Sequence, residues 1–128
     1  MSKPRAIDLT LRIKSAMGKA LKDYDESATI VAARMSELTG REITADALYA
    51  YTAPSKTEHD IGITRFVAFV RVTGATWLWD VLLEEDGLSA VGEQQARHAR
   101  LGRLLLDQRQ NEDEIRALVR DLRGEADR

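Results

Sequence analysis

Few residues in this chain have types suited to chemistry, and those that do point to charge rather than to covalent steps. His59 and His98 are widely separated along the chain, one in a polar stretch and one in an Arg-rich segment, and there is no cysteine. No close carboxylate pair or third ligand completes a metal or catalytic set around either histidine. The sequence therefore leads us to expect no enzyme, no metal and no cofactor, and no small-molecule ligand is evident. What remains is cationic. Residues 1–22 carry Lys3, Arg5, Arg12, Lys14, Lys19 and Lys22 against Asp8 alone, a net of +5 in a chain whose formal charge is -2. A cluster of that sign suits phosphate neutralisation, which is the sequence-independent part of nucleic-acid affinity.

The remaining charge is distributed differently. Residues 23–60 hold eight acids and three bases, and residues 87–128 balance eight arginines against eight acids. A chain of 128 residues with 44% hydrophobic residues can bury a core of its own. No apolar run approaches the ~18 residues needed to cross a bilayer, and MSKPRAIDLT lacks the apolar stretch of a secretory signal. The expectation is a protein without a membrane partner, resident in the compartment where it is made, and the lack of cysteine suits a reducing cytoplasm.

These groups are positioned by helices. Asp8 caps a first helix running to about Lys22, with Leu9, Ile13, Met17, Ala20 and Leu21 inward and the lysines mostly off that stripe. A second helix starts near Ser27, turns Ile30, Val31, Met35 and Leu38 inward, and ends at Gly40, a left-handed C-cap. Thr44 caps a third, with Ala47, Leu48 and Tyr51 inward and Ile43 closing over its first turn as a staple. TAPSKTEHDIG, residues 52–62, reads as a long polar loop, and loops of that length are more often functional than idle. ITRFVAFVRVTG favours a helix capped by Thr64 and ended at Thr73 and Gly74, although its β-branched run also suits a strand. ATWLWDVLLEEDG gives a further helix to about Glu85, with Trp77, Leu78, Val81 and Leu82 on one face and Trp79 and Leu83 widening it.

From about Gly92 the composition shifts to Arg, Glu, Gln and Leu. Leu101, Leu105, Gln108, Glu112, Ile115, Val119 and Leu122 follow a 4-3 spacing, a seam that is polar in its middle. This is either one long helix or two, with Asn111 capping the second. The fold class expected is all-α: a helix-turn-helix domain of about five helices over residues 1–88, followed by a coiled-coil-like helical extension over residues 89–128.

Helices two and three have the outline of a helix-turn-helix, in which a supporting helix, a tight break and a second helix present side chains to the major groove. The third helix, however, carries Asp46 and no Lys or Arg. A carboxylate in a first helical turn is stabilised by the exposed amides, so Asp46 has a structural role available. Affinity must then come from cations elsewhere. Lys14, Lys19 and Lys22, with Arg41 at the turn and Lys56 in the loop, are expected to hold the DNA backbone, while Thr44, Ala45, Tyr49 and Thr52 are left to contact the groove.

The run from Ala32 to Leu88 resembles the small helix-turn-helix DNA-binding proteins encoded in the early regions of Mu-like transposable phages and prophages. The resemblance is carried by the A-x-x-M-S-x-L-T-G segment at Ala32 to Gly40, the Y-T-A-x-S loop entry at Tyr51 to Ser55, the V-T-G turn at Val72 to Gly74, and the heptad-like region from Gly92 on. It extends over roughly residues 9–120 and is most specific in the middle sixty or so. It implies a DNA-binding regulator of transcription or transposition and carries over no individual base contact.

With few cations per chain, one copy should bind weakly, and multivalency is the usual remedy. Trp79, Leu83, Leu101, Leu105, Ile115 and Leu122 are the expected self-association residues, leading to a dimer or to an open helical array on DNA. The competing expectation is a helical assembly or adaptor protein that acts through its C-terminal helix and binds no DNA.

Overall fold

The computed structural model describes residues 7–127, which form six α-helices and, among the described residues, no strand. They are α1 (Leu9–Asp23), α2 (Ala28–Thr39), α3 (Ala45–Thr52), α4 (Ile63–Thr73), α5 (Leu78–Leu83), which runs on into a 3-10 turn at Glu84–Asp86, and α6 (Glu93–Ala126). The chain is all-α, and no helix among the described residues is long and apolar enough to cross a membrane. It divides into two compact units, one ending at Ala90 and one beginning at Val91. Lys3 and Arg5 lie outside the described residues.

In the first unit α2 packs on α3 and α4, and α1 packs on α3 and α5. Met17, Val31, Met35, Leu48, Phe69 and Leu78 are fully buried where these helices meet. Each such side chain contributes ~1.5–3 kcal/mol relative to exposure, enough for five short helices to hold one another when none would be stable alone.

Local signals set most of the helix ends. Ser27 Oγ accepts from the Ile30 amide, and Thr44 Oγ1 accepts from the Ala47 amide at 3.1 Å. Gly40 and Gly74 terminate α2 and α4 with φ of 68° and 70°. A side chain at Gly40 would be forced into the left-handed region, which costs a residue with a Cβ ~1–2 kcal/mol. Gly40→Ala should lower the urea-denaturation free energy by about that amount; an unchanged midpoint would show that the turn relaxes without cost.

Several expectations are corrected. Ile30 and Leu38 are exposed, at 42% and 56%, while Ala28 and Ala32 turn inward beside Val31 and Met35. Because α2 lies between α3 and α4, its inner stripe uses small side chains that allow close approach. Gly62, not Thr64, occupies the cap position of α4, and Asp8 precedes α1 without a side-chain capping bond. The tryptophans exchange roles. Trp79 stands edge-on to Phe66 at 5.5 Å and packs against the core, so the exposed tryptophan is Trp77, at 42%. Trp79 and Leu83 are half-buried within the first unit, which removes most of the apolar surface they were expected to offer another copy.

The second unit is a single helix of 34 residues with no buried residue. Asn111 therefore starts no new helix; the polar middle of the seam is accommodated within one continuous backbone.

Candidate nucleic-acid interface

The connection between α2 and α3 is held by two side chains of the M-S-x-L-T-G segment. Ser36 Oγ accepts from the Ile43 amide at 2.8 Å, and its hydroxyl lies 2.8 Å from the Ala32 carbonyl and 3.1 Å from the Ile43 carbonyl. The hydroxyl thus accepts from the residue before the α3 cap, and its one proton is left for the nearer Ala32 carbonyl or for that of Ile43. Thr39 Oγ1 donates to the Met35 carbonyl at 3.0 Å and accepts from the Arg41 amide at 3.3 Å. With Gly40 in the left-handed region and Ile43 buried, the position of α3 against α2 is overdetermined. Ser36 and Thr39 were not singled out from the sequence. Their signal was available, since Ser and Thr near a helix end commonly bond backbone groups across the following turn.

From that mount α3 presents Asp46 and Tyr49 to solvent, Tyr49 at 55% exposure, with Thr44 exposed at its N-cap and Ala45 half-buried. Thr52 is half-buried against α1: a Cβ at Gly18 would stand 3.5 Å from the Thr52 carbonyl oxygen, in ordinary contact. Thr52 thus packs in part against α1, and its hydroxyl donates to the Tyr49 carbonyl at 3.2 Å.

Lys14 requires the largest correction. It is 1% exposed, and its ammonium donates to the carbonyls of Ala50 at 2.9 Å, Tyr51 at 3.4 Å and His59 at 2.7 Å. Two of these oxygens belong to the last turn of α3, where intrahelical donors run out and the helix dipole is negative. The third lies in the loop after α3. Lys14 is thus a clamp that caps α3 from α1 and pins the loop, and it has no reach to a phosphate. Burial pulls its ammonium below the ordinary lysine value, and the Asp60 carboxylate partly opposes that pull.

The other α1 cations lie away from Lys14: at about 100° per residue Arg12, Lys19 and Lys22 fall within about 80° of one another. Lys19 lies about 140° around the helix from Lys14, with its ammonium 5.9 Å from the centre of the Trp77 ring on the flank where α1 meets α5. Arg12 is engaged by Glu84 and by Glu85, the latter at 2.6 Å. Lys22 is exposed, one turn beyond Lys19. Lys56 is exposed in the loop, which is built from two successive turns closed by Lys56 N to Ala53 O at 3.0 Å and His59 N to Lys56 O at 3.1 Å.

A second cationic feature lies where the α2–α3 turn meets α4. Arg41 and Arg65 line a cleft with Thr39, Tyr51 and the first residues of α4, Gly62 to Thr64. Arg65 Nη1 donates to the Tyr51 hydroxyl at 2.7 Å, which fixes the guanidinium beside the exposed amides at the start of α4. Arginine and a helix N-terminus both favour negative charge. Arg65 was missed in the sequence because its neighbourhood depends on α4 packing against α2. Among the described residues, no group of three His, Asp or Glu side chains is placed to hold a metal ion.

Compared with protein-family models, with curated proteins and with solved structures, the chain matches none.

Proposed function

We propose that the chain binds duplex DNA through α2, the following turn and α3, acting as a helix-turn-helix, and that it regulates transcription or transposition as its resemblance to Mu-like phage regulators implies. The observation that carries this reading is the bond from the Ile43 amide to Ser36 Oγ, which helps hold α3 as a solvent-facing helix beside the Arg41 and Arg65 cleft. Groove contact falls to Thr44, Ala45 and Tyr49. Phosphate contact falls to Arg41, Arg65, Lys22 and Lys56, with Lys19 further round α1. Asp46 stays in the first turn of α3, where the exposed amides favour a carboxylate.

Fluorescence anisotropy with a random-sequence duplex at two salt concentrations tests the reading. Retention should fall steeply with salt. Arg41→Ala combined with Lys22→Ala should weaken binding to all sequences alike and reduce the salt slope by about two. Tyr49→Ala should instead change which sequences are selected from a random pool. Absence of retention even at low salt would sink the DNA reading. It would favour an adaptor that works through α6, a reading supported by the apolar residues that α6 exposes along its length, such as Leu104 at 55% and Leu118 at 61%.

A further inference from the structure

The 34-residue helix α6 buries none of its residues, yet Leu101, Leu104 and Leu105 cluster on one face, and Ile115, Leu118 and Val119 cluster on the same face two heptads on. All six are exposed, between 39% and 61%. Between the clusters the same face carries Gln108, Asn111 and Glu112. Two apolar clusters flanking a polar layer at the helix midpoint make a face nearly symmetric end to end. Such a face can pair with a copy of itself in either direction, and charge decides which.

The halves differ in sign. Residues 93–110 hold four arginines and two acids, a net of +2, and residues 111–126 hold three arginines and five acids, a net of -2. A parallel pair would set like halves side by side and align two helix dipoles; an antiparallel pair sets +2 against -2 and opposes the dipoles. We infer that α6 pairs antiparallel with α6 of a second copy of this chain, in the register that brings Leu101 beside the partner's Leu118, Leu104 beside the partner's Ile115 and Gln108 beside the partner's Asn111. That register also overlaps the helices end to end, Glu93 meeting the partner's Ala126, so that the two apolar clusters face each other and the polar layers meet, while Leu122 falls beside the partner's Arg97. Arg100 then stands opposite the partner's Val119, about 3 Å along the axis from the partner's Asp121 and within reach of its carboxylate. Asp107 and the partner's Glu114 remain a like pair, so the preference comes from the halves as a whole and not from every contact.

This specifies the self-association expected from the sequence, on which the proposed DNA binding would draw for avidity. The two α6 N-termini, and with them the points where the DNA-reading units attach, come about 50 Å apart along the rod. A parallel pair would bring them together.

Because the chain has no cysteine, single-cysteine variants of the full protein can be spin-labelled without background. Gln110→Cys lies near the midpoint and off the seam, and should give an interspin distance of roughly 20 Å. Gln95→Cys, also off the seam, should give roughly 45 Å, from 29 residues of axial offset at 1.5 Å each. A short-distance population at position 95 would overturn the antiparallel arrangement. Absence of dipolar coupling at both positions would overturn α6 pairing altogether, and light scattering on the same samples would then show whether self-association fails with it or proceeds through another surface. DNA binding is measured separately, so its loss or retention bears on the DNA reading alone.

Discussion

Replacing Lys14 with methionine should destabilise the first unit by on the order of 3 kcal/mol, because it leaves part-buried carbonyl oxygens without their donor. Methionine fills much of the volume and restores no bond to Ala50, Tyr51 or His59. Removing the buried charge returns part of its desolvation cost, which keeps the expected loss at one unsatisfied acceptor or two and not the sum of three bonds. Lys19→Met and Lys22→Met serve as controls and should each change stability by less than about 0.5 kcal/mol, as surface substitutions do. Urea denaturation of the three variants checks this, and equal midpoints would show that Lys14 is not a clamp. A pH series adds a signature specific to the ammonium. Its value is lowered in the folded chain, so between the folded value and the ordinary lysine value the unfolded chain binds more protons. Through that alkaline window the wild type should gain stability relative to Lys14→Met as pH rises, and below it the difference should be flat.

The second large effect is expected from charge placed in the α6 face. Leu104→Glu with Ile115→Glu puts carboxylates into both apolar clusters, which should reduce the mass in solution to that of a monomer and lower DNA affinity by ~10²–10⁴ through loss of avidity. The Tm of the first unit should not move, since Leu104 and Ile115 belong to the second unit and are exposed. Sedimentation and anisotropy separate the possible failures. An unchanged mass would mean that α6 is not the adhesive surface. A monomer with undiminished affinity would mean that binding needs no second copy.

The two predictions fall on opposite sides of what could be read in advance. The distinction between them is one of range. Serine and threonine caps, left-handed glycines and the four-residue spacing of Ile13, Met17 and Ala20 act within one or two turns of chain, so the helices at Leu9–Asp23, Ala28–Thr39 and Ala45–Thr52 were legible from their own residues. Helical spacing also outweighed β-branching at Ile63–Thr73, because Phe66, Phe69 and Val70 needed one common face.

Where burial depends on a neighbour distant in sequence, the one-dimensional pattern misassigned it. Ile30 and Leu38 lie where helical spacing placed an inner stripe, but α2 contacts two helices at once and Ala28 and Ala32 take that place. Trp77 and Trp79 are two residues apart on a short helix, and only the position of Phe66 decided which would be covered.

The sequence by itself determined an all-helical chain, most of its helix ends, and an amphipathic C-terminal segment with a polar middle, since each of these follows from torsions and bonds among near neighbours. The tertiary structure alone decided that Lys14 serves as an internal donor and that Arg65 joins Arg41 beside α3. The free energy of a charge is set by the oxygens and dipoles that surround it, and those arrive from 36 to 45 residues away along the chain.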